Sequence, residues 1–449
     1  MTHFLKEKYD VVIVGAGVAG LNCALNLPKD KSVLVICKRS PKQSDSYLAQ
    51  GGICRLRDEG DYKAYFEDTM RAGHYENDAA AVECMIRGSQ GVIDDLLSLG
   101  VRFKRGEDGS FDYTREGGHS APRICYFEDC TGKEITSRLM KEVKKRRNIE
   151  VVPFVTMLDI IESGGECLGI VAYESKGGQI KSVFADSTVL ATGGIGGAFS
   201  NTTNFRILTG DALAICLKHG VAVDNINYIQ MHPTTLYSKK RGRRFLITES
   251  IRGEGAHLLD KDFKRFTDEL QPRDVVKAAV LQQMQKDGTP YVWLDMRPIP
   301  KEEIASHFPS IVKRCEEEGY DVFKEPVPVV PAIHYFMGGV RSDLDGKTTM
   351  PRLYAVGETC CNGVHGKNRL ASNSLLESLL FAKRAAEHIA RSAAHIPQST
   401  VQKAAKEIDK EQYSHPEKLL KKYVKDVNKA VALANAGVNV NEKFKEMRK

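Results

Sequence analysis

The stretch YDVVIVGAGVAGLNCALNL, residues 9–27, decides the fold prediction. The apolar run Tyr9–Val14 has the length of a buried strand, and a helical pattern follows the glycines after it. Gly15 permits a tight turn, Gly17 lets the backbone approach a pyrophosphate, and Gly20 lets the helix pack closely on the strand. A strand, a Gly-x-Gly-x-x-Gly turn and a helix in this order predict an α/β protein whose Rossmann-like domain binds a dinucleotide.

The next apolar run, Ser32–Cys37, is predicted to be the second strand of the same sheet. Dinucleotide-binding proteins usually place an acidic residue at the end of this strand, where its carboxylate accepts hydrogen bonds from the ribose. Lys38 stands there instead, and an ammonium group cannot accept a hydrogen bond. Either other groups hold the ribose, or Lys38 faces a phosphate, and the sequence leaves both possibilities open.

Two later apolar runs, residues 187–194 and 353–358, end in Gly-Gly or Gly-Glu and are predicted to return to this sheet as strands. Residues 150–173 and 180–184 are predicted to form the strands of a small antiparallel layer. Because ligands of open α/β sheets bind at the carboxyl ends of the strands, the glycines after the returning strands are expected to line the site.

The returning strands predict one discontinuous nucleotide-binding domain of residues 1–222 and 336–394. The segment between them, 223–335, is predicted to be an inserted α+β domain. From 395 to 449 the chain is lysine-rich and helical in pattern, which we interpret as a short peripheral helical tail. The basic loop 239–244, KKRGRR, is interpreted as a solvated face.

Size and composition exclude several classes of protein. The chain has 449 residues, 42% of them hydrophobic and 27% charged, which is typical of a globular protein of two or three domains. The net charge of +7 has no dense basic tract behind it, which argues against a nucleic-acid partner and would favour small anionic substrates. No apolar run is long enough to predict a membrane span.

The eleven cysteines contain no Cys-x-x-Cys pair, so a disulfide framework is not predicted and a reduced, cytoplasmic setting fits better. Two close pairs could be redox-active or could bind metal, namely Cys125 with Cys130 and Cys360 with Cys361. We interpret them as free buried thiols and predict no metal site.

The stretch HGKNRLASNSLLES, residues 365–378, joins a basic loop to an apolar helical pattern. Ser374 is predicted to cap the helix, and Glu377 three residues later to complete a capping box. The unpaired N–H groups at the start of a helix suit an anion. Arg369 could clamp a carboxylate bidentately, although a capped core helix with a surface arginine is the alternative.

Cationic and polar residues recur beside glycine or proline in the inserted segment and in the loop TREGGHS, residues 114–120. Each of them alone is more often structural. Several of them beside a cofactor would suit a small dicarboxylate, because two carboxylates need two clamps for orientation. The set comprises Glu116, His232, Thr248, Glu249, Arg252, Arg273, His334 and Arg369.

Ten ordered motifs resemble those of a single family. They are VGAGVAGL (14–21), LAQGG (48–52), TREGGHS (114–120), ATGGIGG (191–197), HPT (232–234), TESIRGEGA (248–256), PRD (272–274), HYFMGGV (334–340), AVGE (355–358) and GVHGKNRLASNSLLE (363–377). From about residue 8 to about residue 392 the chain resembles the flavoproteins of the succinate dehydrogenase, fumarate reductase and L-aspartate oxidase family. Within that family, it is most similar to the members that oxidise aspartate.

The resemblance implies FAD in the Rossmann-like domain and a capping domain at 223–335 that closes the site. Lysine at position 38 is usual in the aspartate-oxidising members. The residues implied to line the FAD are Gly15, Ala16, Gly17, Ala19, Gly20, Lys38, Asp45, Ser46, Gln50, Gly51, Gly52, Val155, Asp211, Glu358, Ser374 and Leu375.

The resemblance also implies roles around the substrate. His232, His334 and Arg369 would hold its carboxylates, with Thr248 beside them. Arg273 would carry a proton, although the pKa of arginine is above about 12. It could do so only when desolvated and held against a partner such as Glu249 or Arg252.

Two positions separate the branches of the family. Membrane-bound succinate dehydrogenases have at position 45 a histidine bonded covalently to FAD, and Asp45 cannot form that bond, so non-covalent FAD is expected. Members that act only on plain dicarboxylates lack a carboxylate at position 116. Glu116 could pair with a substrate ammonium group, and L-aspartate is succinate bearing such a group.

The resemblance therefore implies FAD-dependent oxidation of L-aspartate to iminoaspartate by hydride transfer to flavin N5. Oxygen or fumarate would reoxidise the flavin, in the first step of quinolinate and NAD biosynthesis. Quinolinate synthase is a possible partner. A soluble fumarate reductase or succinate dehydrogenase subunit is the alternative enzyme, and a flavin-binding subunit with an assembly role is the alternative from another class.

Overall fold

The computed structural model describes residues 5–240, 242–392, 395–409 and 411–448. The strands, in chain order, are β1 (Lys8–Val14), β2 (Val33–Cys37), β3 (Gly52–Cys54), β4 (Ile124–Tyr126), β5 (Ile149–Pro153), β6 (Val155–Ser163), β7 (Glu166–Glu174), β8 (Gln179–Leu190), β9 (Val223–Asp224), β10 (Ile229–Leu236), β11 (Phe245–Leu246), β12 (His257–Leu259), β13 (Val292–Asp295), β14 (Val327–Phe336), β15 (Gly339–Arg341), β16 (Leu353–Ala355) and β17 (Cys360–Cys361).

The α-helices are α1 (Val18–Asn26), α2 (Asp45–Leu48), α3 (Glu59–Ala72), α4 (Ala79–Ser98), α5 (Thr131–Val143), α6 (Asp211–His219), α7 (Ser250–Gly253), α8 (Arg273–Asp287), α9 (Lys301–His307), α10 (Pro309–Glu317), α11 (Asn373–Arg391), α12 (Gln398–Glu407), α13 (Pro416–Asn435) and α14 (Val440–Arg448). The ends of the predicted domains at residues 1–4, 393, 394 and 449, and residue 410 of the predicted tail, lie outside the described residues.

The main sheet has the strand order β5-β2-β1-β8-β7-β6, with β16 also paired to β8. Strands β5, β2, β1, β8 and β16 run parallel, and β6, β7 and β8 form an antiparallel meander. The predicted antiparallel layer is therefore part of the main sheet. The predicted strands at 180–184 and 187–194 are one strand, because β8 pairs with β7 through its first half and with β1 through its second.

Two of the three fingerprint glycines, Gly15 and Gly20, occupy positions that no larger residue could take. Gly15 has φ +121°, and a Cβ there would overlap the carbonyl oxygen of Ala191. A Cβ at Gly20 would overlap the carbonyl oxygen of Gly15, so α1 can approach β1 only because residue 20 is glycine. The predicted strand, turn and helix are present as β1, the glycine turn and α1.

The inserted segment carries its own antiparallel sheet, of order β11-β10-β14-β13-β12. Apolar residues of α8, α9 and α10 pack against it in a separate core that includes Val276, Ile304 and Ile311. The predicted α+β character of this segment is thus observed. Strand β9, at its start, pairs instead with β15 of a small third sheet. The division into three domains stays a prediction.

Helix α11 begins differently from its prediction. Ser372 is the residue before it, and its φ of +62° lies in the left-handed region. The predicted capping box is wrong, because Glu377 accepts a hydrogen bond from Asn362 Nδ2 at 2.9 Å and does not turn back to the helix start. Ser374 lies inside the first turn, where it accepts a hydrogen bond from Arg369. Tertiary contacts therefore set this helix start.

The C-terminal helices are not peripheral, which corrects the interpretation from sequence. Tyr423, Val427 and Phe444 are buried in the core beside the main sheet. The Tyr423 hydroxyl donates to the Leu158 carbonyl of β6 at 2.7 Å. The lysines that dominated the sequence pattern lie on the outer faces of these helices. Among the described residues, no helix has both the length and the apolar character needed to cross a membrane.

The eleven cysteines are all free. Cys125 is buried, but Cys130 is only half-buried, so the interpretation as buried thiols is wrong for Cys130. Cys360 and Cys361, adjacent in β17, are both buried. Burial raises the pKa of Cys361 to about 11, so its thiol stays protonated at neutral pH.

Candidate active site

An extended cavity lies at the carboxyl ends of β1, β2 and β8, and residues of the inserted segment line one end of it. Its lining runs from Gly15 and Lys38 at one end to Arg273 and Arg369 at the other, which suits an extended ligand with a second, smaller one. It lies where an open α/β sheet is expected to bind its ligands.

Nearly all of the residues predicted from sequence line this cavity. From the cofactor set, they are Gly15, Ala16, Gly17, Ala19, Lys38, Asp45, Ser46, Gln50, Gly51, Gly52, Val155, Asp211, Glu358, Ser374 and Leu375; from the substrate and catalytic sets, they are Glu116, His232, Thr248, Glu249, Arg273, His334 and Arg369. Gly20 lies behind Gly15, and Arg252 lies behind Glu249, so neither lines the cavity.

Lys38 joins the end of β2 to the start of α6. Its Nζ donates to the Ile207 carbonyl at 2.9 Å and to Thr209 Oγ1 at 3.1 Å, and it forms an ion pair with Asp211. Thr209 in turn donates to Asp211 at 2.6 Å. The absent acidic residue of the fingerprint is thus replaced by a lysine whose hydrogen bonds go to the protein.

Buried polar atoms without a partner face the cofactor end of the cavity. Asp45 accepts the backbone N–H of Phe205 through Oδ1 at 2.9 Å, and its Oδ2 has no partner among the described residues. The Oε1 atom of Gln50 is likewise buried and has no hydrogen-bond partner among the described residues. Burial raises the pKa of Asp45 to about 7. Native proteins rarely leave such atoms unsatisfied, so they indicate a polar ligand, and with the glycine cradle they fit a dinucleotide.

Arg369 is a buried cation with no carboxylate partner among the described residues. It donates to Ser374 and, at 3.4 Å, to Gln230 Oε1, and its guanidinium lies 4.2 Å from the centre of the Tyr335 ring. Burial, with Arg273 nearby, lowers the pKa of Arg369 to about 10, so it remains charged at neutral pH. A buried charge of this kind needs a counter-ion, which an anionic ligand can supply.

Two histidines stand beside this arginine. The rings of His232 and His334 pack edge to face with their centres 5.3 Å apart. His334 Nδ1 lies 2.9 Å from the hydroxyl of Thr203, and His232 Nε2 has no partner among the described residues. Burial, and then the positive charge of Arg273, lowers the pKa of both imidazoles well below its usual value. Both rings are neutral at physiological pH.

Glu249 lies between two arginines in the buried wall of the cavity. Arg273 donates to it through Nε, and Arg252 Nη2 lies 3.2 Å from its other oxygen. Burial opposes ionisation, but the charges of Arg273 and Arg252 outweigh it, and the pKa of Glu249 is lowered. Arg273 also donates from Nη1 to Gln230 Oε1 at 3.0 Å. The wall thus holds a charged chain of arginine, glutamate and arginine.

Glu116 lies at the junction of the cofactor and substrate ends. Its two oxygens accept hydrogen bonds from Ser250 at 2.8 Å and from Ser372 at 2.5 Å. It also lies against Gly51, where an added Cβ would come within 2.6 Å of Oε1. Burial, and next the charge of Glu249, raises the pKa of Glu116.

The sequence did not single out several residues that build this site. Gln230 bonds both Arg273 and Arg369, and its place two residues before His232 is the one signal that could have indicated it. Arg243 belongs to the loop interpreted as solvated, yet it lines the cavity and donates to the Thr203 carbonyl at 3.3 Å. That interpretation was wrong for Arg243, and residue 241 of the same loop lies outside the described residues.

Comparison with known proteins agrees with this geometry. The model of the FAD binding domain family matches residues 10–375. L-Aspartate oxidase of Clostridium perfringens is 46% identical over 86% of this chain and 87% of its own length. That of Clostridium acetobutylicum is also 46% identical, over 86% of this chain and 89% of its own. The chain belongs to the L-aspartate oxidase family.

Members of the wider flavoprotein family share the fold. Escherichia coli quinol fumarate reductase FrdA superposes with a TM-score of 0.83 at 30% identity, over 89% of this chain and 73% of that one. Mycobacterium smegmatis Sdh1 superposes with a TM-score of 0.74 at 30% identity, over 94% and 77%. The α/β fold class, the family and its FAD cofactor, all predicted from sequence, are confirmed.

Proposed function

We propose that this chain is an L-aspartate oxidase, which uses FAD to convert L-aspartate to iminoaspartate. One observation carries the proposal. The same cavity contains a buried guanidinium, Arg369, which has no carboxylate partner among the described residues, and a buried carboxylate, Glu116. A ligand that satisfies both must carry negative and positive charge close together, as an amino dicarboxylate does.

The substrate carboxylates are assigned to two sets of donors. Arg369 and His334 would hold one carboxylate, and His232 and Thr248 the other. A neutral imidazole can donate one hydrogen bond without adding charge, so the histidines orient the substrate while Arg369 neutralises it. Glu116 would hold the substrate ammonium group.

The charged residues of the cavity wall are proposed to take up the proton that the substrate amine releases during oxidation. FAD, when bound, accepts the Cα hydrogen as hydride. The substrate amine must lose a proton as the C=N bond forms. Arg273, linked through Glu249 to Arg252, is proposed to pass protons between the site and the exterior, because the shared carboxylate joins the two guanidinium groups and compensates one of their two charges.

The wider setting is proposed on the same basis. Oxygen or fumarate would reoxidise the enzyme, and iminoaspartate would enter quinolinate and NAD synthesis in the cytoplasm, with quinolinate synthase as a possible partner. Residues 223–335 would act as the capping domain. FAD would be held without a covalent bond, because Asp45 offers no nucleophilic nitrogen.

The product identifies the reaction. Iminoaspartate hydrolyses in water to oxaloacetate and ammonia, so L-aspartate with oxygen or fumarate should yield one oxaloacetate per aspartate consumed. No oxaloacetate with either oxidant would contradict the proposal. A soluble fumarate reductase or succinate dehydrogenase subunit is the second candidate, favoured by the superposition on FrdA. It predicts that succinate is oxidised to fumarate and that L-aspartate is left unchanged.

A further inference from the structure

The carboxylate of Glu116 is held between two serine hydroxyls that come from different parts of the chain. Ser250, in α7 of the inserted segment, donates to Oε1 at 2.8 Å. Ser372, immediately before α11, donates to Oε2 at 2.5 Å. Both oxygens therefore accept a charge-assisted hydrogen bond from the protein, and both donors are buried.

Ser372 keeps its place through contacts on both sides. Its φ of +62° is unfavourable for any residue except glycine, and surrounding contacts must hold it there. Its Oγ accepts the backbone N–H of Gly52 at 3.1 Å. The ring Nε2 of His119 lies 3.0 Å from the carbonyl oxygen of Ala371. Two side chains of the loop 114–120, Glu116 and His119, therefore hydrogen-bond to residues 372 and 371.

His119 is fixed in turn by a buried ion network. Arg123 donates from Nη1 to His119 Nδ1 at 2.9 Å, so the ring hydrogen is on Nε2 and donates to Ala371. Arg123 is paired with Asp61 at 2.9 Å and with Asp68 at 2.7 Å. Burial, and then the charge of Arg123, lowers the pKa of His119 to about 4, which keeps this neutral tautomer at physiological pH.

We propose that Ser250 and Ser372 are positioning residues that keep Glu116 ionised and aimed at the substrate ammonium group. They would thereby set the preference for an amino dicarboxylate over a plain dicarboxylate. The inference rests on the proposed function, in which Glu116 binds the substrate amine. Only an ionised Glu116 can form that ion pair, and a buried carboxylate stays ionised only with donors on its oxygens.

Several titratable groups surround Glu116 and affect its pKa. The titratable groups that face it are Cys54, Glu249, Arg252, Arg273 and Arg369. Burial and Glu249 raise the pKa of Glu116, and Arg273 and the two serines lower it. Loss of either hydroxyl should therefore raise this pKa further, so that a smaller fraction of the carboxyl is ionised at a given pH.

Ser250→Ala and Ser372→Ala, tested separately in the FAD-loaded enzyme, measure this effect. At pH 7 each should raise the KM for L-aspartate about tenfold, the expected effect of one hydrogen bond to a charged group. The inhibition constant of succinate, which has no ammonium group, should change less than about twofold. The KM of both variants should recover as the pH rises, because a higher pH ionises Glu116 again.

Two further variants make the result decisive. Ser89→Ala removes a buried hydroxyl in α4 that hydrogen-bonds only to backbone groups. It should change neither the KM for L-aspartate nor the inhibition constant of succinate. Glu116→Gln should raise the KM for L-aspartate at every pH. If Ser372→Ala does not fold, Ser250→Ala decides, since Ser250 has ordinary helical geometry.

The inference would be overturned if the serine variants raised the KM for L-aspartate and the inhibition constant of succinate equally. An unchanged pH profile of the KM in these variants would also overturn it. Another outcome is that Glu116→Gln raises the KM for L-aspartate and leaves the inhibition constant of succinate unchanged, while the serine variants change neither constant. In that case the inference fails and the proposed function stands. An unchanged KM in Glu116→Gln would refute the ammonium site, and the inference would fall with it.

Discussion

At the scale of residues, two buried arginines show the difference between a structural charge and a functional one. Arg123 is fully buried and meets two carboxylates, Asp61 and Asp68. Arg369 is buried as well, and its partners in the described part of the chain are neutral groups, including Gln230 and Ser374. The protein compensates the first charge internally and leaves the second for a ligand.

Arg369→Leu should abolish productive substrate binding. The loss of one charge-assisted clamp should cost about 3 kcal/mol or more, a fall of roughly 150-fold in kcat/KM for L-aspartate. Steady-state kinetics with L-aspartate measure this directly. Near-normal turnover at low L-aspartate would show that Arg369 does not bind the substrate.

Arg123→Leu should act on stability. It leaves two buried carboxylates without a counter-ion, which should lower the free energy of unfolding by about 3–5 kcal/mol. Urea unfolding of the purified protein, with Arg369→Leu as the matched buried arginine, gives the comparison. Equal destabilisation by the two variants would contradict the distinction between them.

Asp45 predicts how the flavin is attached. A carboxylate cannot form the histidyl bond of the membrane-bound dehydrogenases, so the FAD should dissociate when the protein is denatured. Acid precipitation should leave all yellow colour in the supernatant. Flavin that stays in the washed protein pellet would refute this prediction.

At the scale of elements, helix α11 serves the site with its first turn and the core with the rest. Ser374 and Leu375 line the cavity, and Leu376 and Leu379 pack in the core. The helix also buries Glu377, whose pKa burial raises to about 7. This carboxyl does not itself line the cavity.

Glu377 should make stability fall as the pH rises. Because the pKa is raised in the folded state, the native protein binds more protons than the unfolded chain between the usual value of 4.5 and about 7. The stabilisation from the protonated form is therefore lost as the pH rises through about 7. Thermal unfolding from pH 6 to about pH 8 should show Glu377→Gln gaining stability relative to the natural protein. A constant difference across this range would contradict the raised pKa.

Local elements were predictable from sequence where local residues determine them. Gly15 and Gly20 predicted the turn after β1, because the positive φ of Gly15 and the contact between Gly20 and Gly15 lie within this stretch of chain. The start of α11 was not predictable in this way. Ser372 takes its left-handed conformation from contacts with Gly52 and the 116–119 loop, more than 250 residues away in sequence.

At the scale of the whole molecule, the site forms only where the inserted segment meets the Rossmann-like sheet. Gln230 of β10 joins Arg273 to Arg369, and Glu116 joins Ser250 to Ser372. Nearly all of the site residues predicted from the motifs and the family resemblance line the cavity. Gln230 and Ser250 became apparent only from the geometry, since a glutamine or serine has no distinctive pattern of its own.

The C-terminal helices illustrate the same limit. Their sequence is dominated by exposed lysines, and the sparse apolar residues such as Tyr423 and Val427 have no visible partner until the sheet is built. They pack beside α6 and β6 and complete the core on that side. Hydrophobic pattern predicted the helices, and only the fold shows what they cover.

Anaerobic mixing with L-aspartate and, separately, with succinate tests the central claim most directly. The central claim is that Arg369 and Glu116 together select an amino dicarboxylate. L-Aspartate should bleach the flavin absorbance near 450 nm fully, and succinate at the same concentration should bleach it far more slowly or not at all. Bleaching by succinate that equals or exceeds that by L-aspartate would contradict the claim.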